Sequence, residues 1–200
     1  MWDATTIPFM RRCLVAAISV SMLLPGCGGQ QSDIERPAHS DESRTLEAAP
    51  TAPPFSSAPT ADVHEARSGD TAHLVEVRLA GRDGFDRLVL EFADRVPGYT
   101  VGYRSLPAQA DGSGEEIPLP GASAAVKVSL NPATGAGWSG DARTYFGPST
   151  VAADTSEVTE AKAAGDYEAV LTWVVGLRSK VPFRVLVLDG PPRLVIDFQH

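Results

Sequence analysis

Arg87-Leu88-Val89-Leu90-Glu91-Phe92 recurs near the far end of the chain as Arg193-Leu194-Val195-Ile196-Asp197-Phe198, and all six positions are identical or conservative. Each copy has the period of two of a half-buried strand. Leu, Leu or Ile, and Phe point one way; Arg, Val and the acid point the other. Gly81-Arg82-Asp83-Gly84 precedes the first copy and Asp189-Gly190-Pro191-Pro192 the second, each after another strand-like run. Both copies are therefore expected to be the return strands of β-hairpins. Arg87 and Glu91 lie four strand residues apart, about 13 Å at roughly 3.3 Å per residue, so they cannot pair within one strand and must look across to neighbours. The outward residues Arg87, Glu91, Arg193 and Asp197 are the candidate ligand-binding set. The competing reading is an ordinary solvated strand face laced with charge.

Outward from these hairpins, residues 73–79, 87–93, 99–105, 125–130, 170–177, 183–188 and 193–199 alternate between apolar and polar and are bounded by Gly, Pro and Asp. In the first, Val75, Val77 and Leu79 are expected inward, with Glu76 and Arg78 outward. Residues 157–164 carry helix-favouring Ala, Glu and Lys, and Asp154 with Glu157 suits a capping box. Strand is preferred there, with Gly165-Asp166-Tyr167-Glu168 as the turn into Val170. About eight short, mostly antiparallel strands predict an all-β fold, a small β-sandwich, over residues 71–200. Residues 111–121 and 132–148 are its long loops.

Composition narrows the function classes. The 200 residues carry a formal net charge of −8 and a pI near 4.9, and the 12 basic residues after position 70 are interspersed with 16 acids. This balance argues against nucleic acid as a partner, because phosphate contacts need clustered Lys and Arg. Both cysteines lie within the first 27 residues, so the domain has neither an internal disulfide nor a Cys-ligated zinc.

Residues 1–26 read as a lipoprotein signal peptide. Arg11 and Arg12 precede an apolar run, residues 13–24, too short to span a bilayer and suited to a signal-peptide core. Leu24-Pro25-Gly26-Cys27 resembles the bacterial lipobox, which implies a diacylglyceryl group on Cys27 and a place on the outer, extracytoplasmic face of the cell membrane. Two acyl chains suffice as an anchor. Residues 27–70 hold the lipidated Cys27 and then five prolines, with eight acids against three bases and few large apolar side chains. Such a stretch is expected to be a disordered tether.

The two hexapeptides, the 170–177 strand with Gly176 and the Pro182-Phe183-Arg184-Val185 strand entry together resemble the AMIN domain. With the lipobox, tether and single domain, the chain more closely resembles the AMIN-like lipoproteins of high-GC Gram-positive bacteria. The resemblance covers roughly residues 72–200. It implies a small β-sandwich in an envelope protein, with motifs on outward sheet faces implicated in peptidoglycan binding and septal targeting. No amidase segment follows, so no enzymatic role is carried over.

Catalytic and metal-binding patterns fail on spacing. His39, His64, His73 and His200 are scattered, and Gly137-Trp138-Ser139-Gly140-Asp141 has Asp where a nucleophile elbow needs its second Gly. Gly121-Ala122-Ser123-Ala124-Ala125 lacks both that Gly and a preceding strand. Asp111-Gly112-Ser113-Gly114-Glu115-Glu116 hints at a calcium loop, but Ala122 stands where its bidentate Glu belongs; a polar turn is the better reading. No metal and no cofactor is expected. Trp173, sharing a strand face with Leu171, Val175 and Leu177, belongs in the core, as do Tyr99 and Tyr103 by packing. Trp138, Tyr145 and Phe146 pin a loop rather than offer a sugar platform. The expectation is a non-catalytic, lipid-anchored envelope protein that binds peptidoglycan or a wall-associated protein. Its alternative is a lipoprotein holding a small or lipidic solute in a sandwich pocket.

Overall fold

The computed structural model describes residues 52–62, 71–136 and 142–200, all within the unit Glu47–His200. Cys27, the signal peptide, His39, His64 and Trp138 lie outside the described residues. The described chain is all-β, with strands β1 (Thr60–Asp62), β2 (Ala72–Arg82), β3 (Phe85–Phe92), β4 (Gly98–Arg104), β5 (Ala108–Gln109), β6 (Glu116–Ile117), β7 (Ala124–Asn131), β8 (Ala133–Thr134), β9 (Thr150–Val151), β10 (Val158–Tyr167), β11 (Val170–Leu177), β12 (Phe183–Leu188) and β13 (Arg193–Gln199). The longer strands are the eight the alternation predicts, including the ambiguous one at β10.

One sheet runs β12-β13-β3-β2-β8 and the other β1-β4-β7-β11-β10-β9. The pairings are antiparallel except β2 with β8. The core between them takes Leu88, Leu90, Phe92, Leu194, Ile196 and Phe198 from the first sheet, and Val126, Val128, Leu130, Trp173 and Val175 from the second. Trp173 is 1% exposed. Residues 108–123 fold back as the β5-β6 ribbon, whose Ala108, Ile117 and Leu119 cluster with Ala125, Ala164 and Val174 of the second sheet. Gly176 permits this, for a Cβ there would stand 2.6 Å from Thr159 Oγ1 and 3.2 Å from the Ala122 methyl. The second sheet is thus partly covered on its outer side. The outer side of the first sheet carries no further strand layer among the described residues.

Asp86, fully buried on the inner side of β3, ties the two sheets. Its carboxylate accepts the backbone N–H groups of Ser156 (3.2 Å), Glu157 (2.6 Å) and Val158 (2.9 Å) where β10 begins. Asp86→Ala strands these donors, and the expected loss is about 2–3 kcal/mol in chemical denaturation. An unchanged midpoint would show that water replaces the carboxylate.

Four local readings are corrected. First, the β2/β3 register slips between Leu74 and Glu76. This bulge at Val75 shifts the phase, so Leu74 joins Val77 and Leu79 inside while Val75 is only half-buried. Second, the β10-β11 turn is Glu168-Ala169, both at positive φ (50° and 58°), and not residues 165–168. Gly165 instead lies inside β10, where Asp111 packs so closely that a Cβ would meet its Cβ at 2.9 Å. A two-residue turn of this hand favours Asn-Gly. A left-handed conformation costs a non-glycine residue about 1–2 kcal/mol, so Ala169→Gly is expected to raise stability by roughly 1 kcal/mol in thermal unfolding.

Third, residues 52–62, assigned to the tether, lie against the sandwich. β1 pairs with the edge of β4, and Ser56 exchanges two 2.8 Å backbone hydrogen bonds with Phe183 on the edge of β12. Backbone pairing on an open edge needs no large apolar side chain, which is why composition concealed it. Fourth, Val195 and Asp197, expected outward, do point out of the sandwich but are 1% and 0% exposed.

Candidate functional site

The two echoed strands are neighbours at the centre of the first sheet. Register pairs Val89 with Val195, Arg87 with Asp197 and Glu91 with Arg193. A strand reading basic-x-x-x-acid, laid antiparallel against its own echo, sets each arginine opposite the other copy's acid. The recurrence therefore has a pairing logic, and the two hairpins β2-β3 and β12-β13 are related by a local two-fold through the Val89–Val195 pair.

That symmetry is kept at one end and broken at the other. Arg87 grips Asp197 with two bonds, Nε to Oδ1 at 2.6 Å and an Nη to Oδ2 at 2.9 Å. Arg184 of β12 donates its Nε to Oδ2 at 2.8 Å. The Phe85 ring lies 5.0 Å from the Arg87 guanidinium and 5.2 Å from that of Arg184, and the Phe55 ring lies 4.4 Å from Arg184. These hydrogen bonds push Arg87 above its ordinary pKa despite partial burial. At the other end, Glu91 faces Glu76 as well as Arg193. Arg78 resolves that repulsion by binding both carboxylates, Glu91 at 2.8 Å. Arg193 is left to donate its Nε to the Pro191 carbonyl at 3.0 Å, and Arg82, opposite Phe85 in register, makes no ion pair among the described residues.

This outer face carries Arg78, Arg82, Arg87, Arg184 and Arg193 against Glu76, Glu91 and Asp197, a surplus of two positive charges on a chain of net charge −8. At the β2 side of this face a groove of about 370 Å³ brings Arg78, Arg82 and Arg87 together with Ala80 and Val89, and reaches past Leu79 to Val151 of the second sheet. Of the four sequence candidates, Asp197 and Arg87 are spent on each other, Glu91 is held by Arg78, and Arg193 has free donors. Arg78, Arg82 and Arg184 were not among the sequence candidates for the site, although Arg78 was expected on the outward face. Alternation from Phe183 and across the β2-β3 turn was the signal that could have placed them on this face.

Elsewhere, His73 is occupied by Asp94, with Nδ1 and Oδ2 3.2 Å apart. Burial pushes the Asp94 carboxyl up, but hydrogen bonds from the His73 and Arg95 backbones and the His73 ring hold it below the usual range. Tyr99 and Tyr103 pack against the core. Tyr145 is 9% exposed, edge-on to Trp173 with centroids 5.8 Å apart, whereas Phe146 is exposed.

The fold and this face define a β-sandwich whose first sheet has a charged outer face with no strand layer over it among the described residues. More particularly, a family model for the AMIN-like domain matches residues 72–200, and the chain belongs to that family. AMIN-like domains are generally non-catalytic binding domains, and the family suggests a role in binding related to the cell wall. No curated protein matches the chain.

Proposed function

We propose that the chain is a non-catalytic envelope protein, anchored on the outer side of the membrane through diacylglyceryl-Cys27, and that the outer face of its first sheet binds peptidoglycan or a wall-associated protein. The observation that carries this reading is the net positive face on an acidic, AMIN-like chain, where Arg82 and Arg193 keep guanidinium donors that folding does not use. Each can hold a carboxylate by two parallel hydrogen bonds.

Arg82→Ala and Arg193→Ala are expected to reduce co-sedimentation with purified peptidoglycan while leaving stability within about 0.5 kcal/mol. The double variant should fall further than either, since two contacts on one cross-linked polymer act by avidity. Arg87→Ala is a poor probe, because it uncovers a buried carboxylate and confounds binding with folding. Undiminished sedimentation of the double variant would remove this face from the account.

A further inference from the structure

A second, separate concavity lies where β2, β10 and β11 meet residues 135–136 and 143–147. It encloses about 420 Å³, within the roughly 300–1,000 Å³ of small-ligand sites, and has room for about a dozen non-hydrogen atoms at about 30 Å³ for each displaced water. Its walls are Leu74, Leu171, Trp173, Ala163, Ala164 and Tyr145. The local chain is shaped around it. The β10/β11 register slips between Ala163 and Gly165, and bulges re-aim side chains beside binding sites. The Tyr145 ring is folded tightly over Gly147, where a Cβ would stand 2.6 Å from the ring; its hydroxyl donates to the Pro148 carbonyl at 2.8 Å.

The polar inventory selects the ligand. The Asp111 carboxylate is spent on Lys127 (2.8 and 3.0 Å) and the Thr172 hydroxyl (2.6 Å). Burial pushes its pKa up, but these bonds with the charges of Lys127 and Arg104 bring it below the usual range. Asp166 uses Oδ2 to accept the Gly135 and Ala136 N–H groups at 2.9 and 2.7 Å, so Oδ1 remains an open acceptor. Arg143 uses Nε on the Tyr145 carbonyl at 2.6 Å and lies 5.6 Å from the Phe146 ring. Its terminal nitrogens make no hydrogen bond or ion pair among the described residues and remain as donors. The indole N–H of Trp173, 1% exposed, has no acceptor among the described residues.

We propose that this cleft binds the free carboxyl end of a short peptide bearing an apolar side chain. Arg143 takes the carboxylate, Asp166 Oδ1 accepts a peptide N–H, and the side chain lies against the exposed Ala163 methyl. A sugar fits less well, because stacking needs an exposed aromatic face and both Tyr145 and Trp173 are buried. This site shares no residue with the wall-binding face.

The test is an NMR titration of the full-length protein in detergent micelles, read at the Trp173 indole N–H and the Gly135 and Ala136 amides. Alanyl-leucine should move these resonances saturably, its C-terminal amide should bind about tenfold more weakly, and N-acetylglucosamine should leave them in place. Ala163→Phe, at an exposed position lining the cleft, should abolish the shifts. Arg143→Ala should weaken binding about tenfold. Saturation by the sugar and not the dipeptide, equal affinity for the amide, or binding unchanged in both variants would overturn the proposal. The resonances are read without wall material, so this outcome is independent of the sedimentation result.

Discussion

Asp197→Ala should lower the stability of the domain by about 3–5 kcal/mol, a fall in Tm of roughly 10 °C for a domain of this size. Asp197 is fully buried at the centre of the sheet, and its carboxylate is the shared acceptor of Arg87 and Arg184. Removing it leaves two guanidinium groups, 30% and 18% exposed, facing each other with no counter-charge. Arg87→Ala should cost less, because Arg184 still holds the carboxylate. Replacing the whole cluster by apolar residues of similar volume should recover most of the loss, as buried ion pairs contribute little net stability over well-packed hydrocarbon. Thermal unfolding of the three variants checks the order. Equal losses for Asp197→Ala and Arg87→Ala would show that the pair, and not the buried charge, is what matters.

Cys27→Ser should abolish membrane association altogether while the sandwich stays folded. At about 0.8 kcal/mol per buried CH2, the two acyl chains proposed on Cys27 would dominate any other membrane contact. The apolar run at residues 13–24 is too short to span a bilayer, and no helix among the described residues is long and apolar enough to cross one. Detergent phase partitioning gives the answer directly: wild type in the detergent phase and the variant in the aqueous phase. A variant that still partitions into detergent would reveal another anchor and refute the proposed localisation.

The strands were legible because alternation survives wherever one face is buried. β11 was legible by its Trp173 face alone, since the cover that the β5-β6 ribbon lays on its other side depends on contacts distant in sequence. The β10-β11 turn was misplaced because Glu168-Ala169 carries none of the residues that normally adopt positive φ, while Gly165, the obvious turn residue, serves a close approach by Asp111. Residues 52–62 were missed because edge pairing engages the backbone. At the candidate site, the echo of two hexapeptides disclosed the charged residues without their pairing. Which arginine is spent and which is free depends on register: Asp197 meets Arg87 and Arg184, whereas Glu91 is claimed by Arg78, leaving Arg193 with only a carbonyl. The cleft beside Tyr145 assembles from residues scattered between Leu74 and Trp173 and has no sequence signature.

Mapping soluble peptidoglycan fragments onto the backbone amides of the protein by NMR tests the proposed wall-binding face most directly. Shifts are expected to concentrate at Arg78, Arg82, Val89, Glu91 and Arg193, and to weaken as salt is added because the contacts are exposed and charged. Shifts confined to the opposite sheet or to the loops, or no shift at any fragment concentration, would contradict it.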